Sequence, residues 1–580
     1  MVETHEFLSA GMDDKARPAV MVLGLILLVA LAAGVMRLTD LGQIPLSPAE
    51  ANEALAAWQF WQPGQVAAVA AGSPAYFTLT ALLTQVVGVS DTVVRLVPAL
   101  LGLATCLLPW LWQERLGQVG ALVASLLLAV SATGAALSRT AGGHSLAIFA
   151  TLLLVIAYDN YQESSRPRWR LALAGALGLG LASAPLFYSA LATLLIARLI
   201  GRVIGPAEDE ESPHPSASLL LDRTAGLLWI GVFIALSTLF LWHPAGLGQS
   251  AALPVHWFNS FNVRVGEPAW YTPFLALARY EWPLLLCGLM AVAWATWHSE
   301  PLPALLVYWL AAGLMLAFLQ RDHLENVALL TLPGYLLVGL FVNRQFEQPA
   351  GWFRWLVAAV FALVGAMVYV NLARYGRVEP YGANAIGYLW LALIGFFLAV
   401  IAFSFAYSWE KGAAVQGALA GLLAVLLAFN WGIAWWLGHV AANDPRERWV
   451  TTATDDDVRL LVGLIQEIGR QAANADHGLE IQAAVDSPAL RWYLRDFNPA
   501  VVGTALPVGV QPDVVITPVA SEPQLGSDYL GMDFVLSRTE TPTTPTDLAA
   551  RLRGWLLRQT AETYQQERVI LWLRADLARP

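Results

Sequence analysis

Few side chains in this sequence could move a proton or hold an anion, and those few gather between long apolar runs. The first long loop, residues 37–92, offers three carboxylates, Asp40, Glu50 and Glu53. Glu50 and Glu53 stand three apart and share a helical face. A carboxylate near a membrane face can take a proton from a hydroxyl as general base. Acids there also suit a plain helix start, where the helix dipole favours them. A second, tight loop reads Ser138-Arg139-Thr-Ala-Gly-Gly-His144. Its glycines let a ligand approach the backbone. His144 could serve as a base or a phosphate partner, and Arg139 either holds phosphate or snorkels to water. Arg95 follows Asp91 at i,i+4 and opens an apolar run, which suits phosphate contact or a helix-end ion pair. Arg321-Asp322-His323-Leu-Glu325 is dense enough to hold phosphate or a metal, and a charged surface turn explains it as well. Glu50 and His144 are therefore the candidate catalytic groups. Glu53, Arg95, Arg139 and Arg321 are the candidate substrate contacts. No metal-ligand set stands out.

The elements that must position these groups are membrane helices. The chain has 580 residues, 57% hydrophobic and 13% charged. A soluble chain would carry about twice that charge. Apolar runs of about 18 to 23 residues recur, long enough to cross the ~30 Å hydrocarbon core, where only helices satisfy the backbone. Spans are expected at 19–36, 93–112, 118–137, 141–160, 170–185, 186–203, 223–243, 276–297, 302–319, 325–343, 353–372, 385–408 and 415–438. This makes an α-helical polytopic bundle of about thirteen helices. The shorter run 74–89 reads as interfacial or partly inserted. Trp is abundant at 24 residues, and Trp110, Trp112, Trp242, Trp297 and Trp409 fall near expected helix ends. Cys106 and Cys287 both lie in apolar runs, against a disulfide framework or a cysteine metal site. The dispersed basic residues and net charge of −10 speak against nucleic acid.

With 74–89 not crossing, one set of alternate loops is richer in Lys and Arg, from Lys15 and Arg17 through Arg166, Arg168 and Arg170 to Arg344 and Lys411. The positive-inside bias puts that set in the cytoplasm. The tail 1–18 is then inside, and the C-terminal end of the chain is outside. The run Val20–Val35 reads as a retained first helix, not a cleaved signal. Ser47 with Glu50 makes a capping-box pattern that starts a helix over 48–61. Glu208 to Glu211 with nearby prolines reads as a flexible acidic loop.

After residue 440 the composition turns polar. Helices are expected at 455–473, 488–495 and 546–563, and strands at 479–485, 512–517, 534–537 and 568–573. The alternation indicates a soluble α/β domain over 441–580 behind a transmembrane domain over 19–440.

The order of the pieces resembles the GT-C glycosyltransferases of the protein O-mannosyltransferase and aminoarabinose-transferase type. It resembles most their archaeal and Chloroflexi branch of flippase-associated membrane proteins. The matching stretches are Asp40-Leu41-Gly42, Pro48 to Ala51, Ser73 to Tyr76, Arg95-Leu96-Val97-Pro98-Ala99-Leu100-Leu101-Gly102 and Ser138-Arg139. Leu490 to Asp496 and Val569 to Asp576 match at the far end. The resemblance implies transfer of a sugar from a polyprenyl-phosphate carrier at the outer face of the cell membrane. It also implies an Asp of a first-loop Asp-Glu pair as base, and a second acid after the Ser-Arg turn. This sequence has Ala49-Glu50 at the pair and His144 at the second acid. Three readings follow. The first is a transferase using Glu50. The second is a GT-C-fold subunit without catalysis that binds or scaffolds a membrane complex. The third is a transporter or flippase. The expected partners are the lipid bilayer, a polyprenyl-phosphate-linked sugar and, on the second reading, membrane-complex subunits. No cofactor is implied, and a divalent metal is left open.

Overall fold

The computed structural model describes residues 16–577 apart from 63–71, 205–222, 262–270, 299, 378–382, 448, 451, 474, 498–499, 505, 507–510, 522, 524 and 541–563. Most of the N-terminal tail, the acidic loop Glu208 to Glu211 and the expected helix 546–563 lie outside the described residues.

The apolar runs fold as helices, as backbone without water must. Nine helical stretches among the described residues are long and apolar enough to cross a membrane. A tenth is a bent pair, Thr272–Tyr280 and Leu284–His298, which meet at 109°. The stretch Asp91–Val130 holds two expected spans, parted at Gly117, where φ is +74°. Helix Arg223–Ser237 ends earlier than expected, because Leu239, Phe240 and Leu241 all take positive φ. Trp242, Trp297 and Trp409 are exposed, as interfacial indoles should be. Trp110 and Trp112 instead lie buried in a 3-10 turn, and the Trp112 indole donates to Asp159 at 2.7 Å.

Seven helices frame the site: α1 (Ala16–Leu38), α2 (Pro48–Gln59), α3 (Pro74–Val87), α4 (Asp91–Leu107), α5 (Gln113–Val130), α6 (Ala132–Ser138) and α7 (His144–Ser164). The capping box forms. Ser47 Oγ accepts from the Glu50 amide, and the Glu50 carboxylate accepts from the Ser47 amide at 3.0 Å. The expected interfacial run is α3, 14 residues long, tied to helix Arg223–Ser237 by Thr78 Oγ1 donating to Leu236 O.

Two close approaches need glycine. Gly102 ends the stretch Arg95 to Gly102, and a Cβ there would lie 2.3 Å from that of Ser138. Its absence lets α4 touch α6 just before Arg139. A Cβ on Gly143 would lie 2.2 Å from Ser183 O and 2.3 Å from Ser73 Oγ, so the turn before α7 seats against the start of α3.

Among the described residues, the C-terminal region forms a six-stranded mixed sheet in the order β1-β5-β6-β4-β2-β3. Its strands are β1 (Thr452–Thr454), β2 (Ile481–Ala483), β3 (Ala500–Val502), β4 (Val514–Pro518), β5 (Tyr529–Glu540) and β6 (Tyr564–Arg574). Helix Asp457–Ala473 buries Leu461 and Ile465 in a core with Ile481, Val514, Ile516 and Leu571. The short strands β1 and β3 escape a reading by alternation, since three residues carry too little period. A separate apolar cluster joins this region to the first loop. In it Trp492, fully buried, packs with Leu46, Leu55, Tyr76 and Val94.

Candidate functional site

A cleft of about 90 Å³ opens where the first loop meets the end of the last membrane helix. Asp40, Glu50, Arg95 and Arg139 line it, with Trp449 and Val450 from the segment leading into the C-terminal domain. The cleft brings together three of the six expected site residues. His144, Arg321 and Glu53 do not line it.

Glu50 and Arg95 form a buried bidentate ion pair. Arg95 Nε and Nη2 each donate to the carboxylate at 2.7 Å. Nη1 donates to Leu41 O and Ile44 O at 2.8 Å each, and Nη2 also to Pro45 O at 3.1 Å. A guanidinium has five N–H groups, and all five are engaged. The carboxylate also accepts from the Ala141 amide at 2.9 Å and from Ser47 Oγ at 3.1 Å. Burial alone would raise the Glu50 pKa. The Arg95 charge and hydrogen bonds, with the Ala141 and Ser47 amides, outweigh it and hold the carboxyl below the usual range. A carboxylate so occupied and so acidic is a poor proton acceptor at neutral pH. The Asp91–Arg95 ion pair, one of the two readings of that spacing, does not form, because each side chain has a better partner.

Asp91 is instead the point where the C-terminal domain docks. Trp492 Nε1 donates to Asp91 Oδ1 at 2.7 Å, and Tyr493 OH and Arg459 Nη2 donate to Oδ2 at 2.7 and 2.6 Å. Arg459 also donates to Gly42 O at 2.8 Å, and Tyr493 OH accepts from the Leu46 amide at 2.9 Å. The Leu490 to Asp496 stretch thus carries the clamp that holds the first loop.

Arg139 caps the end of α6. Its Nη1 donates to Met36 O at 3.3 Å and Thr39 O at 2.7 Å. The side chain is buried but lines the cleft. Burial, then the nearby Arg95 charge, lower its pKa to about 10 against the pull of Asp40, so it stays cationic at neutral pH. Sequence reasoning missed Arg37. It is buried in the bundle and donates to Leu128 O and Ala129 O at 2.9 Å each. It also missed Glu281, which sits in the break of the bent pair and accepts from Ser131 Oγ and the Thr133 amide at 2.8 Å each, and from Tyr335 OH. Arg37 follows directly on the expected span 19–36, and Glu281 falls inside the expected span 276–297, where an ionisable residue is itself a signal of function.

The remaining expected residues lie elsewhere. His144 opens α7 with Glu325 as an electrostatic neighbour. Arg321 sits in the turn before His323, whose Nδ1 lies 2.8 Å from Glu325 Oε1. Glu53 accepts from the Gly72 amide at 2.7 Å, and its pKa is raised to about 7 by burial, offset in part by the Gly72 and Ser73 amides. The folded state then holds the Glu53 proton above the ordinary ~4.3, so stability falls as pH rises from there to about 7. Glu53→Gln should match wild type near pH 5 and exceed it in thermal stability at pH 8. A variant less stable than wild type at pH 8 would show a charged, well-paired Glu53. Among the described residues no group of three or more His, Cys, Asp or Glu could hold a metal ion.

Residues 71–209 match the family described as dolichyl-phosphate-mannose-protein mannosyltransferase. No curated protein matches the chain. Among solved structures, ArnT from Cupriavidus metallidurans in the apo state is similar at 14% identity and a TM-score of 0.58, covering 97% of this chain and 100% of that one. ArnT of the same organism bound to undecaprenyl phosphate is similar at 14% identity and a TM-score of 0.56, covering 96% and 99%. At that identity the likeness speaks for the fold, and it runs from the first helix into the C-terminal sheet. This chain has the fold of the GT-C membrane glycosyltransferases.

Proposed function

We propose that this chain is a membrane glycosyltransferase that takes a sugar from a polyprenyl-phosphate donor at the outer face of the cell membrane. The observation that carries the reading is Arg139, a cation lining a cleft beside the first loop, in a fold whose relative was solved with undecaprenyl phosphate. In this proposal Arg139 takes the donor phosphate. Glu50 and Arg95 hold the loop in shape without touching substrate. Glu53, His144 and Arg321 lie outside the cleft lining and have no part in this step. The N-terminus is cytoplasmic and the C-terminal domain extracytoplasmic, as the loop charges favour. At about 90 Å³ the cleft is smaller than the ~300 Å³ at which ligand pockets begin, so donor entry requires the cleft to widen.

A second reading has its own support: a binding or scaffold subunit without catalysis. Ala49 stands where the resemblance expects Asp, and Glu50 is spent on Arg95. Purified protein in liposomes, offered undecaprenyl-phosphoryl hexoses and pentoses with a membrane lipid extract as acceptor, separates the two. Release of undecaprenyl phosphate that needs the protein supports the transferase. No release, with other membrane proteins co-purifying in fixed ratio, supports the subunit.

A further inference from the structure

We propose that Asp40 is the carboxylate that takes the acceptor's proton. The inference rests on the transferase reading above and assigns its base. Two acids line the cleft, Asp40 and Glu50. A carboxylate offers about four lone-pair positions, and Glu50 already accepts from Arg95 Nε and Nη2, the Ala141 and Ser47 amides and Ser47 Oγ. Asp40 is exposed, and among the described residues its side chain takes one bond, from Gln43 Nε2 to Oδ1 at 2.9 Å. Its second oxygen is open.

The backbone sets this acid deliberately. Asp40 has φ +55°, in the left-handed region that few non-glycine residues enter, Asp and Asn most readily, and that persists where the surroundings hold it. Here they do. The Gln43 amide closes the turn on Asp40 O, and Arg459 of the C-terminal domain holds Gly42 O at 2.8 Å. The residue before it, Thr39, gives its carbonyl to Arg139 Nη1 at 2.7 Å. Cation and open acid therefore share one wall of the cleft, and the Arg139 bonds go to backbone carbonyls instead of to Asp40. His439 is bonded to Thr39 Oγ1 and does not line the cleft.

The chemistry balances with those two groups. The acceptor hydroxyl gives its proton to the Asp40 carboxylate as its oxygen forms a bond to the anomeric carbon. The bond from that carbon to the phosphate oxygen breaks, and its electron pair leaves with polyprenyl phosphate, whose new charge Arg139 faces. The proton passes from Asp40 to water after release.

The test uses the full chain in liposomes with undecaprenyl-phosphoryl hexoses and pentoses. Asn tolerates the left-handed conformation as Asp does, so Asp40→Asn should fold with wild-type thermal stability. Its kcat should drop ~10²–10⁴-fold, with KM for the donor and affinity for undecaprenyl phosphate within about threefold of wild type. Asp40→Glu should fall between the two. Wild-type kcat in Asp40→Asn, with an active wild type, overturns the assignment and leaves the transferase reading standing. A wild type that turns over none of the donors overturns the reading beneath it.

Discussion

Arg95→Met should destabilise the protein by about 3–5 kcal/mol, the loss expected when one partner of a buried ion pair is removed. The Glu50 carboxylate would stay buried with its two shortest bonds gone, and the carbonyls of Leu41, Ile44 and Pro45 would lose their donor. Glu50→Gln should cost about as much in thermal unfolding. The double variant Arg95→Met with Glu50→Leu should recover part of the loss, because no charge is then stranded. Recovery stays incomplete, since Glu50 also satisfies Ser47 and Ala141. The Glu50 pKa is lowered on folding. Its contribution is therefore complete above the unfolded ~4.3 and is lost only as pH falls through the lowered value, so at neutral pH the lock is whole. Wild-type stability in Arg95→Met would show that the guanidinium is not the lock. The consequence for assays is direct. Inactivity of Glu50→Gln would report a collapsed loop as readily as a lost base, so activity must be read beside unfolding.

The helical bundle and the start of α2 were legible because their signals are local. A capping box needs residues three apart, and Ser47 and Glu50 supply it. What the Glu50 side chain does was not legible, because its second partner lies 45 residues away. Asp91 and Arg95 show the same limit. Their i,i+4 spacing suits a helix pair, yet Asp91 turns to Arg459, Trp492 and Tyr493, some 370 to 400 positions on. The stretch Leu490 to Asp496 was visible as a motif, but only the fold shows it as a clamp on the first loop. Asp40 was visible as one of three acids. Its open lone pair depends on a turn held by Arg459 from another domain, which no local pattern encodes. Trp110 and Trp112 misled for a related reason. Indoles near a helix end suit the interface, and here an intramolecular acceptor, Asp159, drew one inward.

Arg139→Ala should weaken binding of undecaprenyl phosphate by about ten- to a hundredfold, the worth of one hydrogen-bonded charge at ~1.5–3 kcal/mol. The loss should appear in affinity and in turnover alike, because phosphate is held in the ground state and gains charge as the sugar leaves. Arg139→Lys should recover the charge without the fork geometry, and so part of the affinity. Neither change should unfold the protein, since among the described residues Arg139 gives two bonds, both to backbone carbonyls. Arg95→Met, by contrast, should lose affinity only in step with stability.

If this cleft receives a polyprenyl phosphate, Arg139 is the residue that holds it. Native mass spectrometry of the detergent-solubilised full chain, titrated with undecaprenyl phosphate, tests it most directly. Wild type should show one saturable site, weakened at least tenfold in Arg139→Ala at equal thermal stability. Equal binding by both proteins, or no saturable binding by wild type, would contradict it.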